Sequence, residues 1–160
     1  MKYAGKTVEG PNVELVFILR PDMDLVFKCR AVLDKDYELF DKLCSEPEPP
    51  NVTRPGNITT PNFNDSGYLA ACASWAENRT NYMILTSLTA TEALEWETVD
   101  LNNPDTWAGY RKELQEAGFT GPEIGRLIGG VTIACGLSDT KIEEARERFL
   151  ASQLAGLPVE

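Results

Sequence analysis

Apolar residues change their spacing once along this chain, near Asp34. Before that point they recur at roughly every second residue, and after it at roughly every third or fourth, the two periods of strand and helix. Residues 13 to 19, Val-Glu-Leu-Val-Phe-Ile-Leu, are rich in β-branched and aromatic types, and Arg20-Pro21-Asp22-Met23-Asp24 supplies a turn. Leu25, Phe27, Cys29 and Ala31 then share one side of the next run. This pattern predicts a β-hairpin over 13–32. Val13, Leu15, Phe17 and Leu19 alternate with Glu14, Val16 and Ile18, so the first strand is apolar on both faces except near its start. Such a strand is covered either by its own domain or by another chain. With no other clear strand in the sequence, Val16, Phe17 and Ile18, with Phe27 opposite, are the candidate partner-binding residues, through self-association or a partner's sheet edge. The competing arrangement folds the 37–44 helix and the proline-rich stretch over the hairpin.

Helical spacing takes over with Tyr37, Phe40, Leu43 and Cys44, and Glu46-Pro47-Glu48-Pro49-Pro50 ends that short helix. Residues 45–64 hold Pro47, Pro49, Pro50, Pro55 and Pro61 among Asn and Thr, and predict an irregular loop or linker. Asn64-Asp65-Ser66 offers a cap for a long helix from Gly67 to Ser87, with Tyr68, Cys72, Trp75, Arg79, Tyr82 and Thr86 along one face and Leu69, Ala73, Ala76 and Met83 widening it. A short helix is predicted over Thr91 to Glu97. Asn103-Pro104 opens another, whose buried stripe is Trp107, Tyr110, Leu114 and Ala117 and which Gly118 ends. The best-marked segment is Thr120 to Gly136: Thr120 and Glu123 spell a capping box, Pro122 suits the first turn, and Gly136 suits the C-terminal stop. Its apolar face is Ile124, Leu127, Ile128, Val131, Ala134 and Cys135. Gly125, Gly129 and Gly130 each cost a helix about 1 kcal/mol relative to Ala, which predicts close approach by another helix. Ser138 or Asp139 caps a last helix with Ile142, Ala145, Phe149 and Leu150 facing inward. The prediction is an α+β fold: an N-terminal β-hairpin plus short helix (1–44), a proline-rich linker (45–64), and a helical domain (65–160) with a compact bundle over 103–152.

Composition narrows the chemistry. Apolar residues make up 42% and charged residues 25% of the 160, ordinary values for a soluble globular chain. The net charge of -10, from 25 acids against 15 bases, opposes direct contact with nucleic acid or anionic membranes. No run is long enough to span a bilayer, and Met1 to Lys6 leads into polar residues rather than a signal segment. Cys29, Cys44, Cys72 and Cys135 form no C-x-x-C pair and predict buried free thiols in a reducing cytoplasm. There is no histidine, hence neither the usual general base nor the usual metal ligand. No nucleophile elbow or phosphate-cradling loop is present, and Gly125, Gly129 and Gly130 sit inside a helix without a neighbouring lysine. No enzyme, cofactor or metal is expected. A helix-turn-helix around Gly118 to Thr120 would carry only Arg126 on its second helix, which opposes phosphate contact. The same acid excess allows a mimic of nucleic acid that inhibits a host protein.

The C-terminal half has a recognisable order: Thr91-x-x-Leu94-x-Trp96, Pro104-Asp105-Thr106-Trp107, Glu113-Leu114-x-x-Ala117-Gly118-Phe119-Thr120, Glu123-Ile124, and Ile142-Glu143-Glu144-Ala145-Arg146-x-x-Phe149-Leu150. Over residues 91–152 it resembles the small helical tail-assembly chaperones and minor tail proteins of long-tailed bacteriophages. That resemblance implies a non-enzymatic, acidic protein in the cytoplasm of a bacterial host, associating with tape-measure and tail-tube proteins during morphogenesis. A minor virion component is the alternative within the same resemblance. The hairpin and the proline-rich stretch have no place in that pattern, and it supplies no catalytic residues.

Overall fold

The computed structural model describes residues 1–154 and has the α+β architecture expected. Its strands form three antiparallel hairpins: Lys2–Tyr3 (β1) with Lys6–Thr7 (β2), Val13–Ile18 (β3) with Leu25–Arg30 (β4), and Asn51–Arg54 (β5) with Ile58–Pro61 (β6). The helices are Tyr37–Leu43 (α1), Ser66–Leu88 (α2), Tyr110–Glu116 (α3), Gly121–Ala134 (α4) and Asp139–Leu154 (α5). A 3-10 turn over Pro104–Gly109 precedes α3.

Two of these hairpins depart from the sequence expectation of a single one. Within the predicted linker, Gly56 (φ 93°) and Asn57 (φ 60°) adopt left-handed backbone in the turn. The pairs Val52–Thr60 and Thr53–Thr59 then zip β-branched residues across the strands. The predicted helix over Thr91 to Glu97 is also absent. The Thr91 hydroxyl accepts from the Lys28 N–H at 2.8 Å, and the Glu113 carboxylate accepts from the Thr98 N–H at 3.1 Å. These ties hold the segment, a turn at Thr91–Leu94 followed by irregular chain, against β4 and α3.

One hydrophobic core joins the hairpin to the helices, so residues 1–44 are not a unit separate from the helical part. Val16, Ile18, Phe27 and Cys29 point inward from β3 and β4, against Ile124, Leu127 and Val131 of α4 and the last turns of α2. Beside them Phe40, Trp75, Tyr82 and Trp107 form an aromatic cluster, with ring centroids 5.0 Å apart for Tyr82 and Trp107 and 5.9 Å apart for Phe40 and Trp107. The Tyr82 hydroxyl donates to the Asp36 carbonyl at 2.8 Å, and the Trp107 indole donates to the Asp100 carbonyl at 3.0 Å. Only the C-terminal part of α2, from Asn81 onward, is buried; Leu69, Ala73 and Ala76 of its predicted broad stripe are exposed.

α4 begins as the sequence predicts, with Thr120 and Glu123 closing the capping box and Gly136 left-handed at φ 69°. What approaches its glycines is a strand, not a helix. A Cβ on Gly130 would lie 2.2 Å from Val16 Cγ2 and 3.3 Å from Cys29 Sγ. Nothing lies within 4 Å of the corresponding points on Gly125 and Gly129. The last helix is a larger correction: Ile142 (55% exposed), Phe149 (48%) and Leu150 (50%) do not face inward, and α5 projects from the body instead of completing a bundle over 103–152. Helical spacing gives a stripe its phase but does not supply a surface to cover it.

Gly130→Ala should destabilise the protein by about 1–3 kcal/mol, because the added methyl forces the β3 backbone or α4 to move. Gly125→Ala, a substitution into open space on the same helix, should stabilise by up to about 1 kcal/mol. Urea unfolding of both variants checks the pair, and equal effects would mean that the strand does not lie against Gly130.

Candidate functional site

Register decides which hairpin residues are available. Val16 pairs with Phe27 and Ile18 with Leu25 on the inner face, whereas Leu15 pairs with Lys28 and Phe17 with Val26 on the outer face. Of the four residues predicted to bind a partner, Val16, Ile18 and Phe27 are therefore in the core, covered by α4 and α2, and are corrected as surface candidates. Neither the 37–44 helix nor the proline-rich segment supplies the α4 and α2 cover. Phe17 alone stays outside, at 52% exposure. It is joined there by Leu15, Leu19 and Val26, which were missed as candidates although the same alternation places Leu15 and Leu19 on its face. Both faces read as apolar, and the missing Cβ of Gly130, more than a hundred residues away, selects which is inside.

At the turn end of the hairpin this outer face runs into a cleft of about 350 Å³ between β4, the 91–96 segment and α3. Its apolar walls are Leu25, Phe27, Leu94, Trp96, Leu114 and Phe119, with Met23 of the turn, and Val26 is shared with the outer face. Asp24, Glu95 and Glu113 also line it, with no basic side chain among the lining residues. Glu113 is a structural post: its carboxylate accepts from the Thr98 hydroxyl at 2.7 Å and from the amides of Glu97 and Thr98. Burial opposes its ionisation, but those donors together hold its carboxyl below the usual carboxylate range. Asp24 and Glu95 take no part in the ion pairs of the described residues. The cleft thus suits an apolar group carrying positive charge.

A latch fixes the floor of this cleft. Arg20, in the β3–β4 turn, donates to both carboxylate oxygens of Glu123 and lies 4.8 Å over the Phe119 ring. Phe119 in turn meets Phe27 edge-on at 5.9 Å. Glu123 also accepts from the Thr120 N–H at 2.8 Å, so one carboxylate both caps α4 and ties the turn down. The Arg20 hydrogen bond, then that of the Thr120 amide, pulls the Glu123 carboxyl down to about 2.

Nucleophilic chemistry has little support from the thiols. Burial, reinforced by the nearby Glu14 charge, pushes the Cys29 thiol up to about 11, away from the reactive thiolate. Of the four cysteines only Cys29 is buried as predicted; Cys44, Cys72 and Cys135 are half-buried, and all four are free. Among the described residues no group of three or more His, Cys, Asp or Glu side chains could hold a metal ion, and no helix is long and apolar enough to cross a membrane. Comparison with protein-family models, curated proteins and solved structures finds no match.

The latch has a pH signature. Glu123 has a folded-state value below its ordinary one of 4.5, so its stabilisation is present above that value and is lost as pH falls toward about 2. Glu123→Gln should therefore unfold at lower urea than the parent near neutral pH, and the gap should close between these two limits. A gap that persists unchanged at the acid end would assign the effect to packing rather than to charge.

Proposed function

We propose that this chain works by binding another protein, as a non-enzymatic factor in bacteriophage tail morphogenesis. The observation carrying the protein-binding part is the apolar surface that the chain leaves uncovered: the outer hairpin face with Leu15, Phe17, Leu19 and Val26, continuing into the 350 Å³ cleft. Exposed apolar patches of this kind, rimmed by charge, are the surfaces partners take. The exposed Ile142, Phe149 and Leu150 on the projecting α5 add further apolar surface for a second contact. The tail-assembly setting rests on the resemblance over 91–152, and within it the tape-measure and tail-tube proteins are the proposed partners.

Co-expression with the tape-measure and tail-tube proteins of the same phage tests this reading. Recovery of a stable complex is the expected result. Val26→Asp and Phe149→Asp, both at exposed positions, should leave thermal stability nearly unchanged and weaken that complex roughly tenfold or more. Recovery from infected cells of a host nucleic-acid enzyme, with no tail protein, would favour the acidic inhibitor in its place.

A further inference from the structure

Among the described residues nothing hydrogen-bonds to the edge of β3 away from β4, and the hydrogen-bonding phase of that edge is fixed. The Ala31 amide donates to the Asn12 carbonyl at 2.7 Å. Following that alternation through the register, Glu14, Val16 and Ile18 exchange hydrogen bonds with Cys29, Phe27 and Leu25. The N–H and C=O groups of Val13, Leu15 and Phe17 therefore point out of the hairpin. On β4 the corresponding edge is occupied: Thr91 Oγ1 accepts from the Lys28 N–H at 2.8 Å and donates to the Lys28 C=O at 3.1 Å. Among the described residues no such hydroxyl caps β3. Its sequence, Val-Glu-Leu-Val-Phe-Ile, contains neither the proline nor the lysine with which exposed edges are commonly blunted, and its register has no bulge.

We propose that this edge pairs with the same edge of a second copy of the chain, antiparallel about a two-fold axis at Leu15, making a four-stranded sheet from two hairpins. In that register Leu15 faces Leu15 of the second copy and Val13 faces its Phe17. Every cross-strand pair on the outer face is then apolar, and the outward backbone groups of all three residues are satisfied. Charge favours a second copy over an unrelated strand. A groove of about 430 Å³ flanks the edge, lined by Glu14, Val16, Phe17, Arg126, Gly129 and Ile133 among others. Across the axis Glu14 lies opposite Val16 of the second copy, beside the groove that the second copy's Arg126 lines. Neither Glu14 nor Arg126 forms an ion pair within its own chain among the described residues, although Lys141 and Arg148 line the hollow on the other side of Glu14. The two-fold makes this pairing twice.

Sedimentation velocity of the full chain over a concentration series, with amide hydrogen exchange, tests the inference independently of any other partner. The expected species is a dimer in which the Leu15 and Phe17 amides exchange slowly and become fast on dilution. Leu15→Lys places like charges opposite each other on the axis and should raise the dimer Kd roughly tenfold or more. Glu14→Arg and Arg126→Glu should each weaken the dimer, and the double variant should restore it. If Leu15→Lys fails to fold, the charge-reversal set decides. A parent chain that stays monomeric at millimolar concentration overturns the proposal. So does a dimer with freely exchanging Leu15 and Phe17 amides, or one whose charge reversals show no rescue.

Discussion

The contact between Val16 and the bare backbone of Gly130 is the constraint on which this fold depends. It lets α4 lie close against the hairpin, and that closeness buries Val16, Ile18, Phe27 and Cys29 together. Each such side chain contributes roughly 1.5–3 kcal/mol when fully covered, more than the roughly 1 kcal/mol that a glycine costs a helix. The same contact settles the orientation of a hairpin whose two faces are nearly equivalent in apolar content. Turning the inner face toward α4 leaves Leu15 and Phe17 outside, so the packing that builds the core also defines the surface open to partners.

Arginine does much of the joining at the margin of that core. Arg30 forks onto Asp36 with distances of 2.7 and 3.1 Å, and this hydrogen bonding holds the Asp36 carboxyl below its usual range. Asp36 also accepts from the Leu33 amide at 2.8 Å, so β4 and the start of α1 are fastened by one carboxylate. Arg79 lies 4.1 Å over the Tyr37 ring, and Arg20 over Phe119. A guanidinium can rest its face on a ring while its edge reaches a carboxylate, which suits sites half in and half out of water. The chain's excess of acid therefore coexists with a boundary held by a few well-placed cations.

Features written in a few neighbouring residues were legible in the sequence. The capping box at Thr120, the stop at Gly136, the Asn103-Pro104 start and the central hairpin all depend on short-range chemistry and stand where it puts them. The outer face of the site was half legible: alternation grouped Leu15 and Leu19 with Phe17, but did not say which group would be covered. That choice rests on Gly130, and no periodicity reports a contact across so many residues. The 91–97 segment fails for the same reason, since the Glu113 carboxylate takes the Glu97 and Thr98 amides and the Lys28 backbone takes the Thr91 hydroxyl that could have capped a helix. In β5 and β6, by contrast, Pro55-Gly56-Asn57 between β-branched runs was a turn signal outweighed by the prolines around it. For α5 a correct stripe predicted burial that its neighbours do not provide.

The ties from the hairpin to α4 span unusual lengths of chain: Arg20 reaches Glu123 across 103 positions, and Asn12 reaches the Ala134 carbonyl across 122. Contacts of such separation slow folding, because the loop must close before the contact repays it. During synthesis the hairpin emerges early, yet its inner face has only the last turns of α2 as cover until residues 121–134 have left the ribosome. For that interval Val16, Ile18, Phe27 and Cys29 lack the α4 side of their cover, on a hairpin with an open edge. A nascent chain of this design is most prone to aggregation in the time between making its first core strand and making its fourth helix.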